Sequence, residues 1–461
     1  MRVVVIGGMA AGATAAQFAR KTDRKAEVTI IGKEPHPIYS KCGLPYSLSG
    51  RIPTFERLVE FDEQWFRQFR IGLRLGTEAT SIDTSARTVT ACDLRGGKEE
   101  VVPYDTLIIA TGGHPWMPPI EGAYSAPGVL KEGVHLIRTI ADGKRLSGNA
   151  WRDSRAVIIG GGLIGMEFAE ALSVRGVHVS IVELQHEILL ASLDEDMAAA
   201  ARQIIEKSRT AVHLKYSAES IQGERRSESV RISNTETGEK KEIPADIVVI
   251  STGTKANTDI AVKAGCALGV TGQIKVDSRC ATSVPGIFAA GDCTEYVDLI
   301  TGAPVAVGMG TVATRQGRTA GINAAGGRSE LPPGILGTRV TEAFGMHLAG
   351  VGPTEVQLRK AGIQPVVGRY VGSTLPSYIP GGEEILVKVL AHPDKGRLLG
   401  AQIVGTSRVH QRINAFAVAI LAGMTLEQFS KLETAYAPPI APTLDAITLA
   451  CDVALMKMRR K

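Results

Sequence analysis

Two unbroken apolar runs in the chain are each followed by a glycine-rich turn and an alanine-rich stretch of helical period. Val3-Val4-Val5-Ile6-Gly7-Gly8-Met9-Ala10-Ala11-Gly12 returns as Ala156-Val157-Ile158-Ile159-Gly160-Gly161-Gly162-Leu163-Ile164-Gly165. A short continuous β-branched run reads as a strand buried on both faces, and the segment behind the glycines as the helix that covers it. The next apolar runs, Glu27-Val28-Thr29-Ile30-Ile31 and Val177-His178-Val179-Ser180-Ile181-Val182-Glu183, supply a second strand to each unit. Strand, glycine turn, helix and strand together form the βαβ context in which such a turn holds a dinucleotide. Two further runs echo each other, Tyr104 to Gly112 and Ala245 to Gly253. Each is predicted as a parallel-sheet strand ending in a Thr-Gly turn, Thr111-Gly112 and Thr252-Gly253, where backbone passes close to a ligand.

Beyond Leu331-Pro332-Pro333-Gly334, which reads as a linker, the pattern changes. Glu384 to Leu390 and Leu398 to Val404 flank His392-Pro393-Asp394-Lys395-Gly396 and predict a hairpin. A helix is predicted over Asn414 to Ala422. No glycine-rich nucleotide turn occurs in this last part.

A length of 461 residues corresponds to roughly three domains. Fifty-one glycines and 5% aromatic residues suit an α/β protein with many tight turns. The net charge of +5 is mild for this length and gives no support for nucleic-acid binding. Six cysteines without a CxxC argue against both a disulfide framework and a metal site, so no metal is expected. The N-terminus shows no cleavable targeting segment, and no apolar run reaches the about 18 residues of a membrane span. The expectation is a soluble cytoplasmic protein without a membrane partner.

In a dinucleotide turn the first glycine allows the bend, the second admits the pyrophosphate and the third packs helix on strand. Gly160, Gly162 and Gly165 fill all three places. In the N-terminal copy Gly7 and Gly12 match, Gly8 lies between them, and Met9 occupies the second place. The ribose grip is an acidic residue about 20 positions on. Glu183, 18 positions after Gly165, ends its strand as required, and no Lys or Arg follows it to hold a 2′-phosphate. NADH is therefore expected over NADPH as donor. In the first unit Glu34, 22 positions after Gly12, is the candidate. A third signature, Thr282 to Cys293, delivers Asp292 at the end of a short apolar strand, where a carboxylate can bind the ribityl hydroxyls of FAD. Cys42, in Tyr39-Ser40-Lys41-Cys42-Gly43-Leu44-Pro45-Tyr46, is placed at a helix start where the dipole and Lys41 both favour thiolate. A buried, inert thiol is the alternative there.

Taken together these segments resemble the pyridine nucleotide-disulfide oxidoreductases over essentially the whole chain. The match is to the single-cysteine branch, which holds coenzyme A disulfide reductases, NADH oxidases and peroxidases, and persulfide reductases. Ala313-Thr314-Arg315-Gln316-Gly317-Arg318 and Ala435-Tyr436-Ala437-Pro438-Pro439 are shared with that branch. The resemblance implies two Rossmann-like domains, an FAD-binding domain of residues 1–150 and 278–330 and an NAD-binding domain of 151–277. A C-terminal α+β dimerisation domain of 335–461 completes the expected homodimer. Ser47 stands five residues after Cys42, where glutathione reductase relatives carry a second cysteine, and Ala10 stands where peroxidases and many oxidases carry a histidine. Lys41 replaces the Asn that coenzyme A disulfide reductases place before the cysteine. In those enzymes two tyrosines of the partner subunit reach the reacting sulfur. Tyr436 matches one of them and Tyr378 the other, with a core tyrosine as the alternative at Tyr378. The implied activity is reduction of a small disulfide, polysulfide or persulfide by NADH through a mixed disulfide on Cys42, with coenzyme A among the candidate thiols and NADPH as the alternative donor. An NADH oxidase and a redox-sensing NADH-binding flavoprotein are the rival readings.

Overall fold

The apolar runs that the glycine turns follow become strands of parallel sheets, where they are buried. The computed structural model describes residues 1–460, which divide into two compact units. The first comprises Met1–Leu44, Ile52–His114 and Thr254–Ile335, and the second Pro45–Arg51, Pro115–Gly253 and the chain from Leu336 onward.

In the first unit a five-stranded sheet runs in the order Ile287–Ala289, Thr106–Ile109, Arg2–Ile6, Glu27–Gly32, Ile71–Leu75, all parallel. The helices Ala10–Thr22 and Gly310–Ala324 pack against each other on this sheet through small residues. A methyl group on Gly317 would lie 2.2 Å from Ala11 O and one on Gly321 2.2 Å from Ala15 O, so the glycines set how closely the helices approach. Val3, Val5, Ile30, Ile108 and Ala15 form the core beneath them. A three-stranded antiparallel sheet, Thr77–Asp83, Thr88–Asp93 and Glu99–Pro103, is attached.

The second unit repeats the pattern with Val134–Leu136, Ile247–Ile250, Arg155–Ile159, His178–Glu183 and Ala211–Leu214, again parallel, and the helix Leu163–Val174. A second three-stranded antiparallel sheet, Tyr216–Gln222, Ser229–Asn234 and Lys240–Pro244, occupies the equivalent place in the chain. The expected hairpin is present as Glu384–Ala391 and Leu398–Gly405, and it forms the middle of a five-stranded antiparallel sheet. The helix expected from Asn414 begins earlier and spans Val409–Leu421, and a further helix covers Ala446–Arg459. Buried Lys388 lies among Asp194 (3.1 Å), Asp196 (2.7 Å) and Glu355, so this acidic triad is held by an ammonium group. No helix among the described residues is long and apolar enough to cross a membrane.

Candidate active site

The two glycine turns show which positions the fold itself requires. A methyl group on Gly7 (φ 107°) would lie 2.1 Å from Ala110 O, and one on Gly12 1.8 Å from Gly7 O. The second copy repeats this, with Gly160 (φ 109°) at 2.3 Å from Ser251 O and Gly165 at 2.1 Å from Gly160 O. First and third glycines are thus fixed by contacts within the protein. Gly162 differs, since nothing lies within 4 Å of a methyl group placed on it. Its lack of a side chain leaves room outside the protein at the start of the Leu163–Val174 helix, where peptide N–H groups are turned outward. Met9 stands at the same point before the Ala10–Thr22 helix, with the first and third contacts intact around it.

The carboxyl ends of the parallel strands collect the remaining dinucleotide candidates, as open α/β sheets do. In the first unit Glu34 follows the Glu27–Gly32 strand, and its carboxylate accepts hydrogen bonds from Tyr39 Oη and Lys41 Nζ. The cation expected to assist Cys42 is therefore paired with Glu34 and lies 5.4 Å from the Tyr39 ring centre. Thr111 and Gly112 end the Thr106–Ile109 segment. Thr111 Oγ1 donates to Asn257 O (2.6 Å), and Asn257 Nδ2 donates back to Thr111 O (2.9 Å). Asp292 follows Gly291, whose N–H donates to Gln316 Oε1 (2.8 Å), an oxygen that also accepts from Thr294 Oγ1 (2.9 Å). Gln316 is fully buried, and its Nε2 has no partner among the described residues. In the second unit Glu183 ends its strand and accepts from Gly161 N (2.6 Å) and Gln185 N (2.8 Å), while Gly253 closes the equivalent Thr-Gly turn. Sequence reading passed over Gln316 and Asn257. The only signal for Gln316 was its place in the Ala313 to Arg318 segment.

Cys42 lies in a 3₁₀ turn, Lys41–Gly43, that leads directly into the short helix Leu44–Leu48. It is exposed, so the alternative of an inert core thiol does not hold. Cys92 is half-buried, and Cys266, Cys280, Cys293 and Cys451 are buried. Burial pushes the thiols of these last four upward, away from thiolate. Tyr378 and Tyr436 are 66% and 47% exposed, which removes the core alternative for Tyr378. Their hydroxyls meet at 3.1 Å. This hydrogen bond, in which either hydroxyl can donate, holds the Tyr436 phenol below its ordinary value and raises that of Tyr378. The structure thus gathers one candidate set at each parallel-sheet edge and a tyrosine pair in the second unit, with Cys42 in the first.

Comparison with known proteins gives the same outline. Residues 1–310 match the family described as pyridine nucleotide-disulphide oxidoreductase, and residues 343–446 match the dimerisation domain of that family. The chain is 35% identical to a protein named NADH oxidase from Methanocaldococcus jannaschii, over 100% of both chains. It is 32% identical to an NAD(P)H coenzyme A polysulfide/persulfide reductase from Pyrococcus horikoshii, over 98% of each. Among solved structures, an NAD-dependent persulfide reductase from A. fulgidus superposes with a TM-score of 0.93 at 34% identity, covering 100% of this chain and 84% of that one.

Proposed function

The chain belongs to the pyridine nucleotide-disulphide oxidoreductase family, and from that premise we propose that it is an FAD-dependent, NADH-using reductase of small disulfides, polysulfides or persulfides acting as a homodimer. Gly7, Gly8, Gly12, Glu34, Thr111, Gly112 and Asp292 would hold FAD. The fit rests on the clash-limited Gly7 and Gly12 turn and on the buried Gln316 Nε2, without a partner among the described residues, beside the Gly291-Asp292 turn. Gly160, Gly162, Gly165, Glu183 and Gly253 would hold NADH, and the open space outside Gly162 supports a pyrophosphate there. The FAD domain would comprise residues 1–150 and 278–330, the NAD domain 151–277, and the dimerisation domain 335–461.

When bound, FAD would accept a hydride from NADH and deliver its electron pair to a disulfide. Cys42 Sγ supplies the other half of that disulfide. As thiolate it attacks one sulfur of R–S–S–R′, forming Cys42–S–S–R and expelling R′–S⁻. Two electrons then cleave the mixed disulfide to Cys42–S⁻ and R–S⁻. NADH, one proton and the disulfide thus give NAD⁺ and two thiols. With a persulfide the products are one thiol and hydrogen sulfide. The Tyr378 and Tyr436 hydroxyls of the partner subunit are proposed to protonate the leaving thiolate, a task that suits a phenol whose acidity is increased by a donated hydrogen bond. Coenzyme A derivatives are the favoured substrates, following the activity in the name of the Pyrococcus relative.

The observation that carries this reading is the exposed Cys42 in a chain whose other thiols are wholly or partly buried. The name of the Methanocaldococcus relative favours oxygen as a second acceptor. Ala10 offers no proton donor in the first turn for that chemistry. The deciding assay is NADH consumption under argon with coenzyme A disulfide and with polysulfide, set against oxygen uptake without them. Sulfur-dependent turnover with thiol release should be the faster. Oxygen uptake that exceeds every sulfur-dependent rate would make the protein an oxidase.

A further inference from the structure

The helix Leu163–Val174, which opens on the Gly160 to Gly165 turn, is tied from its middle to its end to two other segments of the same compact unit. On one side Glu167 accepts a hydrogen bond from Thr341 Oγ1. One turn further on, Glu170 lies beside the peptide groups of Phe344 and Gly345. These two residues, with φ of 53° and 72°, form the turn of the hairpin Arg339–Ala343 and Met346–Val351. On the other side Arg175, which caps the helix, donates through Nη1 to Leu48 O (3.2 Å). Leu48 ends the short helix that begins two residues after Cys42. Just beyond it Arg51 pairs with Glu342 at 2.9 Å and lies 5.5 Å from the Tyr46 ring centre. Tyr46, Arg51, Glu167 and Glu170 line one cleft of about 340 Å³. Burial pushes the carboxyls of Glu167 and Glu170 up and the Tyr46 phenol to about 12, as expected where charges are withdrawn from water and held by specific partners.

The chain passes between the compact units at Leu44 and Pro45, so residues 45–51 belong to the second unit while Cys42 belongs to the first. We infer that Arg51 and Glu342, with Glu170 beside them in the same cleft, are positioning residues for the disulfide step: they clamp the segment following Cys42 to the nucleotide-binding helix and the hairpin of the same unit, and so restrain the chain that leads out of the Cys42 turn. None of the three is proposed to touch substrate. The side chain of Arg51 is 62% exposed, and an exposed ion pair contributes little to global stability. Its loss should therefore leave the fold intact while loosening the segment behind Cys42. Because reacting atoms must be held closely, an error on the order of 1 Å can cost up to about a hundredfold in rate.

This inference rests on the disulfide reductase reading, so its test includes a readout independent of turnover. Full-length holoenzyme is compared as wild type, Arg51→Gln, Glu342→Gln, Glu170→Gln and the charge-reversed pair Arg51→Glu with Glu342→Arg. After reduction with dithiothreitol and desalting, the iodoacetamide alkylation rate of Cys42 is followed by peptide mass spectrometry. Anaerobic rates of flavin bleaching by NADH and of recovery on adding coenzyme A disulfide are measured separately. The three single variants should change the alkylation rate and slow the recovery by about tenfold or more, with bleaching by NADH unchanged. The reversed pair should return both affected readouts toward wild type. Wild-type alkylation and recovery in Arg51→Gln and Glu342→Gln would overturn the clamp, as would an equal fall of both half-reactions that the reversed pair does not restore. Failure of the function itself would look different, because Cys42→Ser would then still turn over sulfur substrates.

Discussion

The Glu183 carboxylate already accepts two peptide N–H groups, from Gly161 and Gln185, which aims it at the mouth of the dinucleotide turn. A carboxylate offers about four lone-pair directions, so two remain for a ribose diol. The same negative charge disfavours a 2′-phosphate. Glu183→Ala should raise the KM for NADH and shift preference toward NADPH in steady-state kinetics. A wild type that works better with NADPH would contradict the assignment. His135 makes a different prediction. It is 3% exposed, beside Asn149 Nδ2 at 3.2 Å, and burial, then the Arg145 charge, pushes its imidazole from 6.5 down to about 4. Below about pH 6.5 the unfolded chain takes up a proton that the native state refuses, so stability is lost as the pH falls toward 4, by about 3 kcal/mol at most from this residue. His135→Gln should flatten the fall in urea midpoint between about pH 7 and 5. An unchanged slope would show that other groups dominate. Glu183 was legible in the sequence and His135 was not, because burial and partner of a lone histidine are properties of the folded chain.

At the scale of elements, the glycine turns separate folding from binding. Gly165→Ala places a methyl group 2.1 Å from Gly160 O and should lower Tm sharply or prevent folding. Gly162→Ala meets open space, so it should keep the wild-type Tm while raising the KM for NADH. Equal losses of stability in both variants would contradict this division. The parallel strands and both turns could be read from the sequence because strands buried on both faces are written as unbroken apolar runs. The antiparallel sheets at residues 77–103 and 216–244 could not, since strands such as Glu99–Pro103 and Lys240–Pro244 are largely exposed and polar. The start of the Val409–Leu421 helix was hidden for another reason. Arg412 reads as a surface residue, yet it is buried in a two-pronged pair with Asp445 (2.9 and 2.8 Å), a partner that no local pattern announces. Cys42 could be singled out because its neighbours carry a family signature. The clamp behind it was not, because Arg51, Glu170 and Glu342 lie far apart in the chain and only the fold brings them together.

At the scale of the molecule, the last part of the chain leaves large apolar groups uncovered, including Leu432, Tyr436, Ile440 and Leu444 at 43%, 47%, 63% and 61% exposure. In the proposed homodimer these groups are the ones a partner subunit would cover. Light scattering at micromolar concentration should give twice the chain mass of 48.8 kDa, and an active species of single-chain mass would contradict the role assigned to Tyr378 and Tyr436 across subunits. The central claim is that electrons leave the protein through one sulfur, and Cys42→Ser under anaerobic conditions tests it most directly. Serine matches cysteine in size but cannot form a mixed disulfide. The variant should remain yellow and still bleach on addition of NADH, yet fail to recover its colour or release thiol when coenzyme A disulfide or polysulfide is added. Recovery at the wild-type rate would mean that electrons take another route, and the disulfide reductase assignment would fall.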